Sequence, residues 1–207
     1  MNLYHFWESF NSLLETAGTI LYAFLGKGLK ESRIADNFAA NSSHDITGKM
    51  LTSQKQLSAY RFGAGSVADT GCGAVSIYNV LNILRMNPSL AEVISMTERY
   101  ARPVLGGRAG ANPFAAGRVL EQYHLDYEMY KSADKMEAAM KNGSVSIVVM
   151  WNEETDLLKG AHFYAVEKTD RGIRSYNGPG DHQDQSLAGV IGKGKFIAGY
   201  TIQKRNG

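Results

Sequence analysis

The only cysteine of the chain sits in Asp69-Thr70-Gly71-Cys72-Gly73, a setting able to make its sulfur reactive. Glycine on either side lets the backbone approach a ligand closely and leaves the sulfur uncovered. The apolar run that follows predicts a helix beginning at Cys72, and a helix N-terminus offers unpaired N–H groups and a positive partial charge. Both favour the thiolate, which is the nucleophilic form. The same N–H groups suit a developing oxyanion. A lone cysteine is otherwise most often a small buried hydrophobe; the two glycines and the helix start argue for chemistry.

A thiolate nucleophile needs a base, and the chain has five histidines. His162 opens an apolar strand, Gly160-Ala161-His162-Phe163-Tyr164-Ala165-Val166, just after a polar loop. A hairpin centred between Thr169 and Asp170 would set His162 directly across from Asn177. Its carbonyl could then accept from one imidazole nitrogen and leave the other for the sulfur. His5 and His44 fall in the N-terminal stretch and His124 follows a helix. His182, in Asp181-His182-Gln183-Asp184, is the fallback base. That single polar loop has no second ligand cluster, so neither a metal nor a cofactor is expected.

These residues need elements to hold them. From Cys72 to Leu84 the chain is apolar almost all round, which predicts a helix inside the core, ended by Asn87-Pro88. Further helices are expected over Leu90–Tyr100 and near Pro113–Tyr123 and Ala133–Asn142, with Gly106–Gly110 as a loop. The pattern then changes period. Val145–Met150 reads as a buried strand, His162–Lys168 and Ile173–Asn177 as a hairpin, and Lys195–Ile202 as the last strand. Helices first and strands after predict an α+β fold with an antiparallel sheet. Spacings of three and four from Leu3 to Leu25 predict an amphipathic helix, followed by a polar stretch to residue 58 with a loop at Asn41–Asp45. Residues 1–58 are therefore read as an arm packed on the main domain, which is 59–207.

Composition narrows the function classes. In 207 residues, 22 Lys plus Arg face 20 Asp plus Glu without charge runs, so nucleic acid and anionic membrane partners are not expected. One cysteine excludes an intramolecular disulfide and suits a reducing compartment, here the cytoplasm. The apolar run Ala17–Leu25 is about half of the roughly 20 residues that cross a bilayer, so no membrane span is expected.

The Gly-Cys-Gly helix start, Lys141-Asn142-Gly143 leading into the Val145–Met150 strand, and Ala161-His162-Phe163 recur in that order in papain-like cysteine peptidases. The chain most resembles the bacteriocin-leader (double-glycine) peptidases and their stand-alone relatives, over about residues 68–202. The resemblance implies a bacterial thiol protease of papain-like fold, with a central helix packed on an antiparallel sheet. It implies Cys72 as nucleophile, His162 as base, Asn177 as the residue orienting the histidine, and a peptide or protein substrate. The family usually carries an oxyanion Gln about six residues before the cysteine. Position 66 here is Ser, and Gln54 and Gln56 stand too far upstream to substitute simply, so Ser66, Asp69 or the backbone at Gly71 and Gly73 are the candidates for that role. Trp151 and the following Asn152-Glu153-Glu154 are candidates for lining the cleft. Without the usual Gln, the alternatives are a peptidase-like domain that binds without cutting, or a thiol acyltransferase.

Overall fold

A computed structural model describes residues 28–153, 160–177 and 182–204. The helix expected from Leu3 to Leu25 lies outside them. Helix α1 (Glu31–Ser42) is followed by a single 3-10 turn, Gln54–Gln56, and then a small hairpin of β1 (Arg61–Phe62) and β2 (Gly65–Ser66). A one-turn helix α2 (Val67–Thr70) runs directly into α3 (Cys72–Ile83), and α4 (Leu90–Tyr100) packs on both α1 and α3. Helix α5 (Ala116–Gln122), strand β3 (Leu125–Tyr130) and helix α6 (Ala133–Ala139) precede β4 (Val145–Trp151), β5 (Ala161–Thr169) and β6 (Gly172–Tyr176). The chain closes with β7 (His182–Asp184), α7 (Leu187–Ile191) and β8 (Lys195–Lys204). Six strands form one antiparallel sheet in the order β3-β8-β4-β5-β6-β7. The fold is α+β, helices packed on an antiparallel sheet.

Helix α3 is central because it has no polar face to expose. Ala74, Val75, Ile77, Tyr78, Val80 and Leu81 are completely buried, and each large apolar side chain removed from water contributes roughly 1.5–3 kcal/mol. The helix lies across β5, where Ser76 Oγ donates to the Phe163 carbonyl at 2.8 Å. Val145, Ile147 and Val149 of β4 and Phe163 and Ala165 of β5 face that helix. The alternate residues Val148, Met150, Tyr164 and Val166 build a second core with Met136, Met140, Ile173 and Leu187. Strand alternation thus buries both faces of β4, as its unbroken apolar run requires.

Two expectations change. The polar stretch before residue 58 contains helix α1, whose buried face is Ile34, Asn37 and Asn41. The asparagines bond protein groups: Asn37 Nδ2 donates to the Gly63 carbonyl at 3.0 Å, and Asn41 exchanges two bonds with the Arg61 backbone. Leu51 and Leu57 from the same stretch enter the main core. The β5–β6 hairpin is also centred one residue later than expected, between Asp170 and Arg171, with Thr169 paired to Gly172. Gly172 makes this turn possible at φ 121°, where the Asp184 carbonyl oxygen stands 2.2 Å from the place a Cβ would take. Asn177 is therefore not directly opposite His162.

Candidate active site

Gly71 joins α2 to α3, and a Cβ there would stand 2.7 Å from the Val67 Cα. A Cβ on Gly73 would stand 2.9 Å from the Ala111 Cβ. Only glycine permits both approaches, which set Cys72 at the first position of a buried twelve-residue helix. The thiol is free and buried, 6% exposed.

Strand β5 brings His162 to it. Burial works against the charged ring and Lys55 adds to that. The hydrogen bond and charge of Cys72, with the Asn177 carbonyl, outweigh both and raise the His162 pKa above its ordinary value. Nε2 of His162 lies 2.6 Å from the main-chain oxygen of Asn177. A carbonyl only accepts, so Nε2 carries the proton and Nδ1 is left for the thiol. The Tyr164 ring meets the imidazole edge to face, with the two ring centroids 4.7 Å apart.

The acceptor is the main chain of Asn177, not its amide. Asn177 has φ 69°, a left-handed conformation that asparagine tolerates better than most residues. Its side chain is 2% exposed. Oδ1 accepts from the Gln54 backbone N–H at 3.0 Å; Nδ2 lies 3.3 Å from Gln54 Oε1, 3.5 Å from the Cys72 carbonyl and 3.4 Å from the Phe163 carbonyl. One amide thus ties the start of α3, strand β5 and the 3-10 turn together.

Gln54, set aside above for its distance from the cysteine, does enter the site. It stands 18 residues before Cys72, with the β1–β2 hairpin and α2 between, so no fixed interval could point to it. Nε2 of Gln54 donates to the Ala68 carbonyl at 3.1 Å. Ser66 and Asp69 form a cap on α2 instead: Ser66 Oγ donates to Asp69 Oδ2 at 2.6 Å and accepts from the Asp69 N–H at 3.3 Å. Trp151 is buried at the end of β4, opposite Ala161 and next to the Met150–His162 pair. His182 begins β7 opposite Ser175, on the side of β6 away from β5.

No family model matches the sequence, and no curated protein matches it. Solved structures do. The chain is similar to double-glycine peptidase domains. One is the peptidase domain of Streptococcus ComA, a bi-functional ABC transporter involved in quorum sensing: 10% identity over 65% of this chain and 91% of that one, with a TM-score of 0.47. Another is a double-glycine-motif protease from an AMS/PCAT transporter, in complex with the leader peptide: 17% identity over 64% and 84%, with a TM-score of 0.44. At such identities and TM-scores the activities of those domains stay with them. No helix among the described residues is long and apolar enough to cross a membrane, and no cluster of three or more His, Cys, Asp or Glu among them is placed to hold a metal ion.

Proposed function

We propose that the protein is a cysteine peptidase that cleaves a peptide amide bond through Cys72 and His162, with Asn177 orienting the ring. The observation that carries this reading is His162 held between the Cys72 thiol and the Asn177 carbonyl. The Cys72 thiolate forms a bond to the amide carbon, and the carbonyl electron pair moves to oxygen. The first-turn N–H groups of α3 and the second amide N–H of Gln54 receive that oxyanion. His162 gives its Nδ1 proton to the leaving nitrogen as the C–N bond breaks, leaving a thioester. Water then attacks the thioester, passing its proton back to Nδ1, and the acid leaves.

The main-chain carbonyl can do what a side-chain carbonyl does for the ring: it fixes the tautomer and the tilt without adding a charge. Peptides, in the cytoplasm of a bacterium and with small residues before the cut, are the substrate class that the resemblance suggests. The test is incubation with a peptide mixture rich in small residues, read by mass spectrometry, for wild type and Cys72→Ala. New termini that vanish in Cys72→Ala support the reading. Equal cleavage by both proteins sinks it, and a product that appears only with an added amine acceptor makes the protein an acyltransferase instead.

A further inference from the structure

Two contacts in the plane of an imidazole leave it free to rock about the line that joins its nitrogens. His162 has one such contact at Nε2, to the Asn177 carbonyl, and one on the Cys72 side. Tyr164 supplies a contact out of that plane. It lies two residues further along β5 and so on the same face of the strand. The rings meet edge to face, 4.7 Å between centroids and 66° between planes. Tyr164 cannot easily yield. It is 8% exposed and packed into the second core with Val148, Met150, Val166 and Ile173.

We propose that Tyr164 is a positioning residue for His162, its ring holding the imidazole in the tilt that aims Nδ1 at Cys72. This rests on the reading of Cys72 and His162 as a reacting pair. An edge-to-face aromatic contact of this kind is worth about 0.5–1.5 kcal/mol beyond the area it buries, enough to favour one tilt of the imidazole over others. Among the described residues, the groups that act on His162 are Cys72 on α3, Lys55 in the 3-10 turn, the Asn177 carbonyl after β6 and Tyr164 on its own strand. Lys55 opposes protonation, and Cys72 and Asn177 favour it. Burial, with a smaller contribution from the Cys72 charge, raises the Tyr164 phenol pKa. The aromatic ring is thus within the electrostatic reach of both members of the pair.

The experiment is the rate of Cys72 alkylation by iodoacetamide from pH 4 to 10 in wild type, His162→Ala, Tyr164→Leu and Tyr164→Phe. With a single cysteine the signal has one source. Wild type is expected to react well below pH 7 and His162→Ala to lose that reactivity. Tyr164→Leu should react about three- to tenfold more slowly at pH 6, the fold-change expected from losing an edge-to-face aromatic contact. It should match wild type near pH 10, where the thiol ionises without help. Tyr164→Phe, which keeps the ring, should restore most of the low-pH rate. If Tyr164→Leu superimposes on wild type while His162→Ala does not, Tyr164 has no positioning role and the reacting pair stands. If wild type and His162→Ala superimpose, the pair itself is absent and both readings fall. A Tyr164→Phe profile equal to that of Tyr164→Leu would assign the effect to the hydroxyl and overturn the ring's role. Should Tyr164→Leu fail to fold by near-ultraviolet circular dichroism, Tyr164→Met fills the space with a flexible apolar chain and carries the same comparison.

Discussion

The main-chain carbonyl of Asn177 accepts from Nε2 of His162 at 2.6 Å, while the Asn177 side chain bonds Gln54 instead. The residue type at 177 therefore matters for its left-handed φ of 69° and for the buried amide, and the histidine contact itself belongs to the backbone.

This division is testable with two substitutions. Asn177→Gly keeps the left-handed conformation and loses the amide bonds. Asn177→Ala loses both, at an added cost of about 1 kcal/mol for a Cβ at positive φ. Losing the buried amide bonds costs about 1–3 kcal/mol in either variant. Denaturant unfolding should rank wild type above Asn177→Gly and Asn177→Ala last. Because the ring's acceptor remains, Asn177→Gly should retain His162-dependent alkylation of Cys72 at pH 6. A glycine variant that is stable yet as unreactive as His162→Ala would show that the amide orients the ring after all.

Gln54 divides stability from turnover in the same way. Gln54→Leu removes the bonds to Ala68 and to the Asn177 amide but leaves the Gln54 backbone N–H on Asn177 Oδ1. The stability loss should be about 1–2 kcal/mol. If the amide receives the oxyanion, peptide turnover should fall by about 100-fold, the usual scale for one lost donor. Alkylation at pH 6 should hardly move, since alkylation builds no oxyanion. Turnover that follows alkylation in parallel would remove Gln54 from that role.

Gly73 is constrained by packing and not by its backbone angle. Gly73→Ala places a methyl 2.9 Å from the Ala111 Cβ and 3.9 Å from the Phe163 ring. Overpacking of this kind costs about 1–3 kcal/mol, offset by about 1 kcal/mol of helix propensity. Melting should show a net loss, and Ala111→Gly in the same protein should recover part of it. Strictly additive losses in the double variant would place the strain somewhere else.

How much of this was legible in the sequence differs from element to element. The central helix could be read because Cys72–Leu84 is apolar almost all round, as a core helix requires. Strands β4 and β5 could be read from their β-branched and aromatic runs. Helix α1 could not, because its buried face is largely asparagine, satisfied by the Arg61 and Gly63 backbone and by Glu98, so it presents no apolar stripe. Strand β3 hid for a related reason: Leu125 is its only fully buried side chain. Cys72 and His162 stood out by type and local setting, whereas Gln54 reaches Asn177 only through the tertiary fold. The hairpin register turned on which of two adjacent positions the turn occupies. A shift of one in the turn centre moves every partner by two and so keeps His162 and Asn177 on compatible faces.

Glu98 gives the last test, away from the cysteine. It is completely buried on α4; Oε1 accepts from Asn37 Nδ2 and from the Gly63 N–H, both at 2.6 Å, and Oε2 has no hydrogen-bond partner among the described residues. Burial raises its pKa from 4.5 to about 7, against the two hydrogen bonds and the Arg33 charge, which lower it. The folded protein thus holds this proton more tightly than the unfolded chain. Its contribution is fully present below pH 4.5 and is lost as the pH rises towards 7 and above, by about 3 kcal/mol at 1.4 kcal/mol per pH unit. Glu98→Gln cannot ionise. Its stability relative to wild type should therefore improve by about that amount between pH 4.5 and pH 8, measured by urea unfolding at both. The Gln amide brings unpaired N–H groups into the same site, so the variant should be the less stable protein at the acid end. Parallel pH profiles for the two proteins would mean that Glu98 ionises in the folded protein as it does in the unfolded chain, and would sink this reading.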